Sequence, residues 1–158
     1  MAHFLTRRKV MTTLVATAVM PSFGSAQTSD IWSVGQVFEA LKTDQIRLID
    51  VRSRAEWDET GLAEGAWAIS LHEDRFPERL FAARDLADGR PVALTCATGG
   101  RSGSVMRSLR QAGYSGFIDV SEGMLGSSLG PGWIAAGLPV VDMETALATL
   151  PDGLVLAP

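Results

Sequence analysis

The chain contains one cysteine, in a position that invites a chemical reading. Cys96 follows the apolar run "PVALT" and opens the segment "CATGGRS", after which a helical pattern begins. A thiol is a nucleophile only as thiolate, and an ordinary cysteine is ionised to only about 3% at neutral pH. The simplest way to favour the anion is to direct backbone N–H groups and a helix N-terminus at the sulfur. Gly99 and Gly100 can adopt the angles that turn successive amides inward as an anion nest. Arg101 adds a positive charge, and Ser102 is placed to cap the helix. The plainer reading makes Cys96 a small hydrophobe at the edge of the core and the glycines a tight turn. Two glycines, an arginine and a helix start so close together favour the chemical one.

Other chemistries find less support. A single cysteine allows neither an intramolecular disulfide nor a cysteine metal cluster. Of the two histidines, His3 falls in the expected export signal, which leaves His72. A zinc site would have to rely on carboxylates, so no metal or other cofactor is expected. His72 would also be the only base for a Cys–His hydrolase; nothing in "ISLHEDRF" singles it out, and it reads as a surface residue.

The elements that must position Cys96 follow from periodicity. "TSDIWSVGQVFEALKTD" places Val34, Val37, Phe38 and Leu41 at helical spacing. "IRLIDVR" reads as a strand, "SRAEWDET" as one or two helical turns and "GAWAISL" as a short strand. A helix is expected from about Phe76, with Leu80 and Phe81 inward, before the buried strand "PVALT". "RSGSVMRSLRQAGY" is a second helix, with Gly113 as its C-terminal stop. "GFIDV" is another strand, and "WIAAGLPVV" ends in a helical turn and an extended segment. Strands that alternate with helices, several of them apolar throughout, predict an α/β fold with a parallel sheet covered on both faces. Ligands of such sheets bind beyond the carboxyl ends of the strands, where Cys96 stands.

Residues 1–26 read as an export signal, with a basic start, a short apolar stretch and Gly24 and Ala26 at the cleavage positions. Arg7-Arg8 fits a twin-arginine signal as well as a general secretory one, so a periplasmic or secreted location is expected by either route. Removal of Arg7, Arg8 and Lys9 leaves 11 basic and 18 acidic residues, a formal charge of −7. That balance argues against nucleic-acid or anionic-membrane partners. No window has the length of a mature membrane span, so no stable membrane association is expected after cleavage. An anionic substrate would have to be drawn in by a locally positive field, which the nest and Arg101 are expected to supply.

In its order and spacing of "LIDVRSRAEW", "GLAEGAWAISL", "CATGGRS", "LRQAGY", "EGM" and "WIAAGLPVV", the chain resembles the single-domain rhodanese-like sulfurtransferases, from about Ile31 to Val141. The resemblance implies a rhodanese-like domain over residues 27–141, with a parallel sheet of about five strands flanked by helices on both faces. It implies a loop from Cys96 through Ala97, Thr98, Gly99 and Gly100 to Arg101, closed by Ser102, whose amides cradle a persulfide. The implied reaction moves a sulfane sulfur from a small sulfur-containing anion such as thiosulfate to Cys96, then to cyanide or a thiol. Related phosphatase loops have five residues between cysteine and arginine; here there are four, which disfavours phosphatase or arsenate-reducing chemistry. Asp50 and Arg52 match the family's Asp-Val-Arg element. Arg52 and Glu56, four apart, read first as a structural ion pair and second as a substrate contact. Arg101 is left between binding the departing sulfite and bonding the loop's own carbonyls.

The sequence departs from that family at "GLAEGA", where relatives have His and Pro, and at the insertion "GSSLGPG", residues 126–132. The insertion either borders the mouth of the site or is a plain surface loop. The extension 142–158 either packs back or serves a partner. The alternative to an enzyme is a non-catalytic rhodanese-like module that binds a partner or carries sulfur passively, and a sulfenic acid or mixed disulfide on Cys96 is a third reading.

Overall fold

The computed structural model describes residues 30–155, so the expected export signal and the domain start at residue 27 lie outside the described residues. In chain order the elements are α1 (Val34–Lys42), β1 (Arg47–Asp50), α2 (Arg54–Thr60), β2 (Leu62–Ala63), β3 (Ala66–Ala68), α3 (Phe76–Leu86) and β4 (Val92–Thr95). There follow α4 (Gly100–Gln111), β5 (Phe117–Asp119), α5 (Gly132–Ala135), β6 (Val140–Val141), α6 (Met143–Ala148) and a 3-10 turn, Asp152–Leu154.

Local chemistry sets the helix limits. Ser33 and Gln36 form a reciprocal capping box at the start of α1, and Ser53 and Glu56 form another at α2. α4 ends at a glycine as expected. Gly113 takes φ 81°, its N–H donates to Arg110 O at 3.0 Å, and the Tyr114 N–H reaches Leu109 O at 2.9 Å. These two bonds satisfy carbonyls that the helix end leaves open.

The main sheet is parallel throughout, in the order β3-β1-β4-β5. It has four strands where about five were expected. The fifth edge position is held by a single bridge between Ile31 and Asp119, with the Trp32 N–H donating to Asp119 O at 3.0 Å. The cap at Ser33 turns the chain into α1 directly afterwards and leaves no residues for a longer strand. β6 also stands apart from the parallel sheet and pairs antiparallel with β2.

Because side chains alternate along a strand, each strand feeds both faces. Ile49, Val92, Leu94 and Phe117 pack under α3 and α4. Leu48, Ala93 and Ile118 pack on the other side with Val37 of α1 and Trp133 of α5. The described part of the extension after residue 141 packs back. Ala146 joins Trp57, Leu62 and Ala68, and Leu154, 1% exposed, enters the α3–α4 cluster. Nη2 of buried Arg79 donates to Leu154 O at 2.5 Å, which ties this turn to α3.

Candidate functional site

Cys96 is the first residue after β4, between β1 and β5, and is 1% exposed. The loop behind it is held by its carbonyls. Met124 N–H donates to Cys96 O and Leu125 N–H to Ala97 O, both at 2.8 Å. None of the N–H groups of residues 97–102 has an acceptor among the described residues. Successive unpaired amides that run into the first turn of a twelve-residue helix are donors of the kind an anion can use.

Two glycines make this geometry possible. Gly99 caps α4 in the left-handed region, at φ 83°, and a Cβ there would stand 2.1 Å from Ser121 O. Gly123, at φ 71°, lies under the loop, where a Cβ would meet Ala97 O at 2.4 Å. Gly100 is the first residue of α4, so the helix starts earlier than expected and Ser102 is not its cap. A capping serine accepts an amide from an extended backbone. Ser102 is instead inside the first turn, buried, and its hydroxyl donates to Gly99 O at 3.2 Å.

The expected Arg52–Glu56 pair does not form. Ser53 caps α2 with an extended backbone, so Arg52 precedes the helix and the spacing of four does not align the two side chains. Arg52 turns back onto Asp50. Its Nε lies 3.0 Å from both carboxylate oxygens and its Nη2 2.8 Å from Oδ2, with both side chains fully buried. It also donates to Thr60 Oγ1 at 2.8 Å and to Gly61 O at 2.6 Å. The pair thereby fastens the end of β1 to the end of α2. A buried guanidinium with this many acceptors is well compensated for its desolvation.

Glu56 belongs to Arg101. Arg101 Nη1 donates to Glu56 Oε2 at 2.8 Å and Nη2 donates to Oε1, a two-pronged pair between α2 and α4. Glu56 Oε2 also accepts the N–H of Ser53 at 2.9 Å and its hydroxyl at 2.7 Å. The Arg101 hydrogen bond, against partial burial and aided by the Ser53 bonds and the Arg101 charge, holds the Glu56 carboxyl at about 2. Arg101 is raised above its ordinary value, first by Glu56 against its own burial and then by the Cys96 sulfur beside it. Arg101 thus bonds neither the loop carbonyls nor solvent alone. Its charge is balanced by Glu56, so the positive field expected of it is largely absorbed, and the amides remain as the uncompensated positive end.

The sequence reading gave no role to four residues outside the loop, Ser53, Ser121, Glu122 and Gly123, although Glu122 and Gly123 belong to the motif "EGM". The Glu122 carboxylate accepts the Val34 N–H at 3.2 Å and the Gly132 N–H at 3.3 Å, joining the starts of α1 and α5. The insertion is fastened to the same turn: Ser127 Oγ donates at 3.0 Å to Ser121 O, the carbonyl that lies against Gly99. Local signals existed only for Ser53, whose Ser-x-x-Glu spacing is a capping-box pattern. His72 is exposed, and no His, Cys, Asp or Glu cluster among the described residues could hold a metal ion.

The pattern of the rhodanese-like domain matches residues 33–127. The uncharacterised protein slr1261 of Synechocystis is 30% identical over 123 residues, which is 77% of this chain and 62% of that relative. The chain therefore spans less than two thirds of that protein's length. The crystal structure of Rv0390 from M. tuberculosis is 27% identical with a TM-score of 0.49, covering 69% of this chain and 94% of that one. The Alr3790 protein from Anabaena is 18% identical with a TM-score of 0.50, covering 74% and 84%, a likeness of fold alone. With the match running through β1, the Cys96 loop and the Gly123 turn, and over more than half its length, the chain belongs to the rhodanese-like domain family.

Proposed function

We propose that the protein is a sulfurtransferase that carries a sulfane sulfur as a persulfide on Cys96. At family level, the rhodanese-like domain supports a sulfurtransferase-like or sulfur-binding module. The observation that carries the finer reading is the row of unpaired N–H groups, residues 97–102, that follows the one thiol.

In the first step the Cys96 thiolate attacks the outer sulfur of thiosulfate. The sulfur–sulfur bond of the donor breaks, and sulfite leaves with the electron pair. The outer sulfur of the resulting persulfide carries negative charge. The amides of Ala97, Thr98, Gly99, Gly100, Arg101 and Ser102 are the donors to receive it, ready before the reaction and needing no reorganisation. Cyanide then attacks the outer sulfur, thiocyanate leaves, and the pair returns to Cys96 as thiolate. Neither step needs a general base. Asp50, Arg52 and Glu56 act at one remove: the first two fix the end of β1, and Glu56 positions Arg101.

The test is the intact mass of the protein before and after thiosulfate, beside Cys96→Ser. A gain of one sulfur on the wild type alone, lost on addition of cyanide as thiocyanate appears, is the expected result. No gain from thiosulfate or from persulfide donors, with the thiol shown free, refutes it. The near-complete burial of Cys96 favours one second reading, a module that holds sulfur without turning it over. A persulfide that forms but is not discharged by cyanide or thiols would select that reading. We also propose that the protein acts in the periplasm or outside the cell after cleavage behind Ala26; a mature N-terminus found at Met1 would refute it.

A further inference from the structure

Cys96 belongs to an apolar cluster with Phe76, Leu80 and Leu109, against which Leu71 and Val105 pack. The outer surface of that same cluster is a groove of about 460 Å³ between α3 and α4. Phe76, Leu80, Leu109 and Tyr114 are among the residues that line it, and no charged side chain does.

Two observations join the groove to the thiol. Ser104, Val105 and Ser108 line it at three-, four- and seven-residue steps from Arg101, so they continue the helical face that Arg101 occupies. At 1.5 Å per residue it begins about 5 Å along α4 from Arg101 and runs for about 12 Å more, to Ala112. The opposite wall starts at Leu71. Its N–H donates to Val51 O at 3.0 Å, and Val51 N–H donates to Thr95 O at 2.9 Å, next to Cys96. Leu71 therefore stands on the carboxyl edge of the sheet, two strand spacings from the residue before the thiol. The Leu71 end of the groove is thus the end nearest the edge of the sheet that bears the thiol.

Charge narrows the ligand. Arg101, the cation beside Cys96, is already engaged by Glu56, so side chains offer a multiply charged acceptor little attraction. The groove offers apolar contact.

We propose that the physiological acceptor is a small thiol with an uncharged, apolar body that lies along α4 in this groove while its sulfur reaches Cys96. This rests on the persulfide reading above. The acceptor sulfur attacks the outer sulfur of Cys96–S–S⁻ and forms a new sulfur–sulfur bond. The bond to the Cys96 sulfur breaks and its pair returns to Cys96 as thiolate. The acceptor's own thiol proton passes to the transferred sulfur, giving R–S–SH with no external oxidant or reductant.

The test loads the full chain with thiosulfate and measures transfer to a series of unbranched alkanethiols from propyl to hexyl, with cyanide alongside. Ser108→Trp on α4 and, as a second filling variant, Ala112→Phe just past its end block the groove at exposed positions. In the wild type the rate constant is expected to rise about two- to fourfold per methylene, the effect of burying each in apolar surroundings. In the filled variants the hexyl-to-propyl ratio is expected to fall towards one. A flat series in the wild type, with cyanide still discharging the persulfide, overturns the groove and leaves the sulfurtransferase standing. If no persulfide forms with thiosulfate or with persulfide donors, the sulfurtransferase reading fails, and labelling of Cys96 by N-alkylmaleimides of the same chain lengths decides whether the groove guides apolar groups to the thiol. Rates that rise with length in the wild type alone support that guidance, and equal rates overturn it.

Discussion

Glu56→Gln isolates the contact that joins α2 to the Cys96 loop. Arg101 and Ser53 hold the Glu56 carboxyl at about 2 in place of 4.5. Fully converted, that difference is about 3 kcal/mol of pH-linked stability. The Glu56 side chain is 28% exposed, and solvent screening lowers the expected contribution to about 1–2 kcal/mol. Its sign follows from the direction. The folded state holds this carboxyl below its unfolded value, so the contribution is complete above pH 4.5 and is lost as pH falls towards 2. Glutamine keeps a carbonyl oxygen for the Ser53 cap but cannot titrate. Urea denaturation of both proteins from pH 7 down to pH 3 should therefore show the wild type ahead by about 1–2 kcal/mol at neutral pH, with most of that lead gone at pH 3. A lead that stays constant across this range, or no lead at pH 7, would refute the paired, ionised Glu56 described here.

Gly99→Ala forces a Cβ to within 2.1 Å of Ser121 O in a left-handed backbone; the persulfide mass gain should disappear while circular dichroism retains the helices. Arg52→Ala leaves Asp50 buried and unpaired and should cost about 3–5 kcal/mol in chemical denaturation, far more than removal of an exposed arginine such as Arg54. Leu154→Ala removes a side chain from the core under α3 and should cost about 2–4 kcal/mol; a loss below about 0.5 kcal/mol would mean that the turn at Asp152–Leu154 does not dock in solution.

Most of the fold could be read from local pattern. The strand and helix order around "PVALT" follows from apolar runs and their spacing, and the stop at Gly113 from its capacity for positive φ. Short elements were harder. β2 and β6 are two residues each, too short for any periodicity, and form only because α5 returns the chain beside the end of α2. The missing fifth strand was equally hidden, since one bridge at Ile31 leaves no alternation to read.

By itself the sequence determined the placement of a lone thiol at the carboxyl end of a buried strand, ahead of a glycine-rich helix start. Those properties depend on neighbours along the chain, where apolar period and glycine freedom act directly. The tertiary structure decided the partners. Arg52 could have paired forwards with Glu56 on spacing alone, yet the extended cap at Ser53 sends it back to Asp50 and frees Glu56 for Arg101, 45 residues away. The same holds for Ser121, Gly123 and Glu122, which shape the loop through contacts made across the fold. Ion pairs and close backbone approaches depend on distance in space, and only the packed chain sets that distance.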